Sequence, residues 1–161
     1  MLNSELILAK ENQELLNDKI IQQTIAILDS RLKVKGIEIT GVEDAINYLR
    51  LQLELEEIEF FCVLFLDSKN RVIEFQKMFY GSIRSVEIHL CEIIKVVLAL
   101  NASAIIIAHN HPSGKAEPGN MDCILTNKIS NLLNLMDIHF IDHIIIGHNE
   151  YISFAEHGLL I

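Results

Sequence analysis

Two histidines one residue apart, His109 and His111, close the run Ala104-Ile-Ile-Ile-Ala-His109-Asn-His111-Pro112-Ser113-Gly114. Ile105 to Ala108 read as a buried strand, and successive strand side chains alternate faces, so both imidazoles point the same way. Pro112 stops the ladder and Gly114 permits a sharp turn, which places the pair at the strand's carboxyl end. Two neutral imidazoles on one face are half of a tetrahedral zinc site. Beyond His111, Asp122 offers a carboxylate at the start of an apolar-periodic segment. Three protein ligands with a fourth position left for water is the plan of a catalytic zinc site rather than a structural one. Taken singly, a strand-end histidine pair is also a common structural feature. An aspartate in a helix's first turn is also a plain dipole partner or cap.

The elements that must position these groups follow from periodicity. Residues 1 to about 35 read as a helix, with Leu15, Leu16, Ile20, Ile21, Ile25, Leu28 and Leu32 as its apolar side and Gly36 as its stop. This is an N-terminal helical extension over residues 1–36, suited to packing on its own domain or to a homodimer contact. Thr40-Gly-Val-Glu43 reads as a capping box before a helix to about Leu55, whose face is Val42, Ala45, Ile46, Leu49 and Leu53. Phe60 to Leu66 is the strongest strand in the chain, and Arg71 to Tyr80 returns antiparallel to it across the Asp67–Asn70 turn. A long helix is expected from about Val86 to Leu100, presenting Ile93, Ile94, Val97 and Leu98. Another is expected from Met121 to Leu135, presenting Ile124, Leu125, Ile129, Leu132 and Leu133. Strands at Asp137–Gly147 and Tyr151–Phe154 complete the order. The reading is α/β, a mixed β-sheet flanked by helices.

The spacing His109-x-His111, seven residues, position 119, two residues, Asp122 resembles the JAMM motif of the JAB/MPN metalloproteases. The wider words His-Asn-His-Pro-Ser-Gly and Asp142-His143-Ile-Ile-Ile-Gly147 are similar to the RadC-like branch of that family, in the short form without a helix-hairpin-helix domain. The likeness runs from about Thr40 to Ile161, so residues 40–161 are read as an MPN domain of JAB/MPN (cytidine-deaminase-like) architecture. The resemblance implies one Zn²⁺ per chain, held by His109, His111 and Asp122. It also implies that Glu59, just before the strong strand, activates water for cleavage of an amide in a peptide or protein substrate. Asp142 and His143 would then hydrogen-bond the ligands, or His143 would be a satisfied core histidine. The family pattern is broken at two places. Gly119 stands where the motif carries a serine that donates to the oxyanion, and Leu90-Cys91 replace a Pro-Arg between His89 and Glu92. The rival expectation is an MPN-like interaction module with weak or no catalysis, and a third follows the association of RadC proteins with DNA repair. A zinc deaminase is excluded, because His-x-Glu and Pro-Cys-x-x-Cys are absent.

The composition narrows the classes further. Half of the 161 residues are hydrophobic and 22% are charged, which suits one domain with a sizeable core plus a modest appendage. With 22 acidic against 13 basic residues the net charge is −9, and no basic stripe appears, so direct nucleic-acid binding is not expected. No run is apolar enough for a membrane span and no secretion signal is seen, so a cytoplasmic location is expected. Cys62, Cys91 and Cys123 are widely spaced, form no CxxC pair, and read as core fillers.

Overall fold

The computed structural model describes residues 2–33, 38–81 and 88–160, with side chains in the first helix described for residues 13–28 and 30. In chain order the elements are α1 (Leu2–Lys33), α2 (Val42–Leu53), β1 (Phe60–Leu66), β2 (Val72–Tyr80), α3 (Leu90–Ala99), β3 (Ala104–Asn110), α4 (Asn120–Asn134), β4 (His139–Ile146) and β5 (Tyr151–Ser153). The sheet order is β2-β1-β3-β4-β5, and only the β3–β4 pairing is parallel. That pair is joined through α4, as a parallel crossover requires. The result is a mixed five-stranded sheet flanked by helices. No described helix is long and apolar enough to cross a membrane.

β3 is central, and both of its faces are covered, which is why it reads as a near-continuous apolar run rather than an alternating one. Alternation still sorts its side chains. Ala104, Ile106 and Ala108 pack with Cys62, Leu64 and Leu66 of β1 under α2. Ile105 and Ile107 pack with Phe61, Val63 and Phe65 under α3 and α4, where Ile93, Val97, Ile129 and Leu133 close the layer. Burying each isoleucine contributes about 1.5–3 kcal/mol. The same alternation sends His109 to the α3/α4 face and Asn110 to the α2 face.

Several expected details differ. The cap before α2 is not Thr40 with Glu43: the N-cap is Gly41, and Asp44 accepts from the Thr40 hydroxyl and N–H at 2.8 and 3.1 Å. The start expected for α3 falls in residues 82–87, outside the described ones, and the helix runs from Leu90 with His89 as its N-cap. Its expected face is narrower than read, since Leu98 is 62% exposed, as is Ile124 of α4 at 46%. Of the cysteines only Cys62 is buried; Cys91 is exposed and Cys123 half-buried. In α1 the apolar residues do not form one buried side. Ile21, Ile25 and Leu28 are half-buried, whereas Leu15, Leu16, Ile20 and Ile27 are exposed.

Candidate metal centre

The antiparallel register of β1 on β3 delivers a carboxylate to the histidine pair. Phe61 pairs with His109, so two residues back, just before β1, the chain brings Glu59 level with His111. Ligand atoms of Glu59, His109 and His111 all lie within 4.8 Å of one another. Asp122 is the third residue of α4, and its Oδ1 lies 3.4 Å from His109 Nε2. The fold thus gathers Glu59, His109 and His111 into one cluster at the carboxyl end of β3 and sets Asp122 against His109, outside the mutual 4.8 Å group.

Following the hydrogens shows what this cluster can hold. His111 Nδ1 lies 2.8 Å from the Lys115 carbonyl, which can only accept, so Nδ1 carries the proton and Nε2 is bare. Thr126 Oγ1 lies 2.6 Å from the Asp122 carbonyl and 2.6 Å from His143 Nδ1. The hydroxyl has one hydrogen, and the carbonyl has none, so Thr126 donates to Asp122 and accepts from His143. His143 Nε2 is then an acceptor, and it lies 2.8 Å from His109 Nδ1, which must donate. That leaves His109 Nε2 bare as well, 3.0 Å from the bare Nε2 of His111. Asp122 Oδ1, 3.4 Å from His109 Nε2, is buried without a hydrogen-bond partner among the described residues. Burial and the neighbouring His143 and His111 hold the pKa of His109 well below its ordinary value, so a shared proton does not relieve the repulsion. Burial pushes His143 down to about 3. Burial raises the Asp122 carboxyl, although its Oδ2 takes the Gly119 N–H at 2.7 Å. Two bare nitrogens facing each other, a carboxylate from Glu59 within reach of both, and an unsatisfied carboxylate oxygen of Asp122 against one of them fit a cation. Nitrogen ligands about 2.0–2.1 Å from a tetrahedral zinc stand about 3.3 Å apart, close to what is seen.

Local structure explains why these groups stay in place. Asn110, 2% exposed, accepts the Phe60 N–H at 2.8 Å and donates to the carbonyls of Ile58 and Glu56 at 2.9 and 3.3 Å. It therefore clamps both sides of Glu59 to the end of β3. Across the sheet, the His111–Gly114 turn lies on the end of β4. His111 N–H donates to Ile146 and His148 N–H to Gly114, at 2.8 and 2.7 Å. Gly147 is required there, because a Cβ would stand 2.3 Å from the Gly114 carbonyl oxygen. The Asp142–His143 pair divides its work. His143 reaches His109, while Asp142 accepts from Ser153 and Ala155 and holds β5 and the turn after it. His89 is at the exposed start of α3, and the structure does not bring it into the described cluster.

Thr126 and Asn110 were not singled out from the sequence. Each left one signal, a polar residue at a position that periodicity assigns to a buried face: Thr126 one turn after Asp122, and Asn110 on the side of β3 opposite the histidines.

A histidine pair at a strand end, an aspartate at a helix start and a glutamate on the antiparallel neighbour define a candidate metal centre on an α/β sheet. The chain belongs to the RadC-like JAB domain family, whose model matches residues 39–159 and leaves α1 outside. It is similar to the UPF0758 protein YkfG of Escherichia coli (strain K12), 41% identical over 142 residues, which are 88% of this chain and 90% of that relative.

Proposed function

We propose that the protein is a zinc-dependent hydrolase that cleaves an amide bond in a peptide or protein. The observation that carries this reading is the cluster of the Glu59 carboxylate with His109 Nε2 and His111 Nε2, with the unsatisfied Asp122 Oδ1 3.4 Å from His109 Nε2. His109, His111 and Asp122 would hold the ion. Zinc held there supplies Lewis acidity, which makes water acidic near neutral pH and polarises a carbonyl. Glu59 receives the proton of the attacking water and passes it to the departing amine. Asn110 keeps that carboxylate at the strand end, where its reach to the ligands is fixed. Nucleic acid is not the substrate in this reading, because a net charge of −9 repels a phosphate backbone.

A second reading, an interaction module with little turnover, is favoured by one observation. Gly119, the N-cap of α4, has no hydroxyl to offer a developing oxyanion. Losing one such donor costs on the order of 100- to 1000-fold in rate. The experiment is metal analysis of the purified protein, with an anomalous map locating the ion, followed by turnover of peptide and isopeptide substrates by the wild type and Glu59→Gln. The first reading expects about one zinc per chain and hydrolysis that disappears with Glu59→Gln. Zinc without turnover selects the second reading. Absence of zinc at the histidines defeats the metal centre in both.

A further inference from the structure

We propose that Thr126 and His143 are positioning residues that dictate which nitrogen of His109 carries the proton, so that its centre-facing nitrogen is bare before any ion arrives. The inference deepens the metal-centre reading, on which its purpose rests. Its starting point is a group with no choice. The Asp122 carbonyl can only accept, and the single Thr126 hydrogen must lie in the 2.6 Å gap between them. The alternative, with the hydroxyl donating to His143, would press two oxygen lone pairs together at that distance. From there each assignment forces the next. His143 donates through Nδ1 to Thr126 over 2.6 Å, and His109 donates through Nδ1 to His143 over 2.8 Å.

The surroundings keep the chain from rearranging. Thr126, His143 and His109 are each 0% exposed, so bulk water does not offer an alternative partner. The His143 ring is stacked on Phe154, with centroids 4.6 Å apart and planes 28° from parallel, and a flip within that plane would put carbons where its nitrogens meet Thr126 and His109. The chain begins on the residue it serves. Asp122 presents its side chain to the histidines and its main-chain carbonyl to Thr126, one helical turn along α4. Seating of α4 and the protonation pattern of His109 are therefore one structural event. Without the Thr126 hydroxyl, His143 Nδ1 loses its acceptor. The ring is then free to carry its proton on Nε2 instead. His109 Nδ1 would in turn accept, leaving its proton on Nε2, where it blocks the centre.

The test uses the full chain. Long-range ¹H–¹⁵N correlations on the metal-free wild type report the tautomers directly, and His109, His111 and His143 are all expected as Nδ1–H. Thr126→Val keeps the shape of the side chain and removes the hydroxyl; Thr126→Ser restores it. Thr126→Val should shift His143 and His109 toward Nε2–H and weaken zinc by about 10- to 100-fold in chelator competition. Thr126→Ser should return both to within about threefold of wild type. Cobalt(II) absorption should show a tetrahedral spectrum in wild type and Thr126→Ser, diminished in Thr126→Val at equal metal. The proposal is overturned by Nε2–H at His143 in the metal-free wild type, a measurement that needs no variant to fold. It is overturned equally by a Thr126→Val protein that keeps its tautomers or its zinc affinity. A wild type with the expected tautomers and no zinc affinity would defeat the metal centre and leave the proton arrangement standing.

Discussion

His109 is sealed at the end of β3, 0% exposed, and its free nitrogen is set by a chain of buried hydrogen bonds reaching α4. His111, two residues on, is half-buried in the turn beyond the strand, and its ring is set by one loop carbonyl, that of Lys115. The first wall of the centre belongs to the core and shares its rigidity. The second belongs to a turn whose seat is the close approach of Gly114 to Gly147. One side of the site is thus fixed by packing and the other by backbone fit, and the two should fail in different ways.

The largest expected effect separates ligation from folding. His109→Ala and His111→Ala should each weaken zinc by roughly 100-fold or more, beyond what loss of a supporting hydrogen bond costs. Their stabilities should diverge. His109→Ala leaves buried His143 Nε2 without its donor, costing about 1–3 kcal/mol. His111→Ala at a half-exposed turn should cost about 0.5 kcal/mol or less. Equal losses in chemical denaturation would erase the contrast between the two walls.

Acid should attack the buried wall first. His109 and His143 are held neutral in the folded state, with pKa values below those of the unfolded chain. The unfolded state therefore binds protons first as pH falls below about 6.5, and stability drops with it. In metal-free protein each of the two should remove about 1.4 kcal/mol per pH unit below that point, with His143 continuing toward its folded value of about 3. Asp122 and Asp142, raised by burial, oppose this at more acidic pH, because their folded forms take up protons before the unfolded chain does. A denaturation midpoint flat between pH 6.5 and 5.5 would contradict the buried, neutral assignment.

Gly147→Ala attacks the other wall. The new Cβ would meet backbone, which cannot swing aside, and about 1–3 kcal/mol of strain is expected. Zinc affinity should fall through His111, while the ¹⁵N signature of His109 and His143 stays as in wild type. Loss of that signature would show that the two walls are one unit.

The smallest expected effect is a gain. Gly119 has φ −82° and ψ 166°, an ordinary extended conformation, so serine brings no backbone strain. Its Cβ would lie 3.3 Å from Asp122 Oδ2, so the carboxylate must yield slightly. Gly119→Ser should raise hydrolysis roughly 10-fold on any substrate that turns over. The gain should vanish in a Glu59→Gln background. A gain indifferent to Glu59 would mean that another group serves as the base.

How much of this was legible depended on whether the signal was local. β1 and β3 were readable because burial on both faces leaves unbroken apolar runs, and α4 because its stripe repeats through Ile129 and Leu133. Glu59 could be placed only through the family pattern, since its neighbours Glu56 and Glu57 are chemically equal in sequence and only the pairing of Phe61 with His109 distinguishes it. The link from Thr126 to His143 spans 17 residues and two elements, so no period records it. The face of α1 was read too broadly because apolar residues at three- to five-residue steps do not reveal which half meets the body. The cap of α2 was misplaced by one residue because Glu43 and Asp44 are both acidic, and the site of the hydrogen bond depends on the extended Gly41.

The Asn110 clamp bears on what lengths of chain this domain can accept. At one end of β1, the Ser68–Asn70 tip is exposed and is held by half-buried Asp67, which accepts from Lys69 and Arg71. Residues inserted there would lengthen a surface bend far from the histidines, at a small closure cost. At the other end, the segment before β1 is also a loop, with Leu55, Glu57 and Ile58 exposed. Yet Asn110 counts its residues, gripping the carbonyls of Glu56 and Ile58 and the N–H of Phe60 from a fixed strand. One residue added between Glu56 and Phe60 would move Glu59 out of step with β3 while leaving every core contact of the sheet available. Of two loops that look equally permissive, one is a measured length.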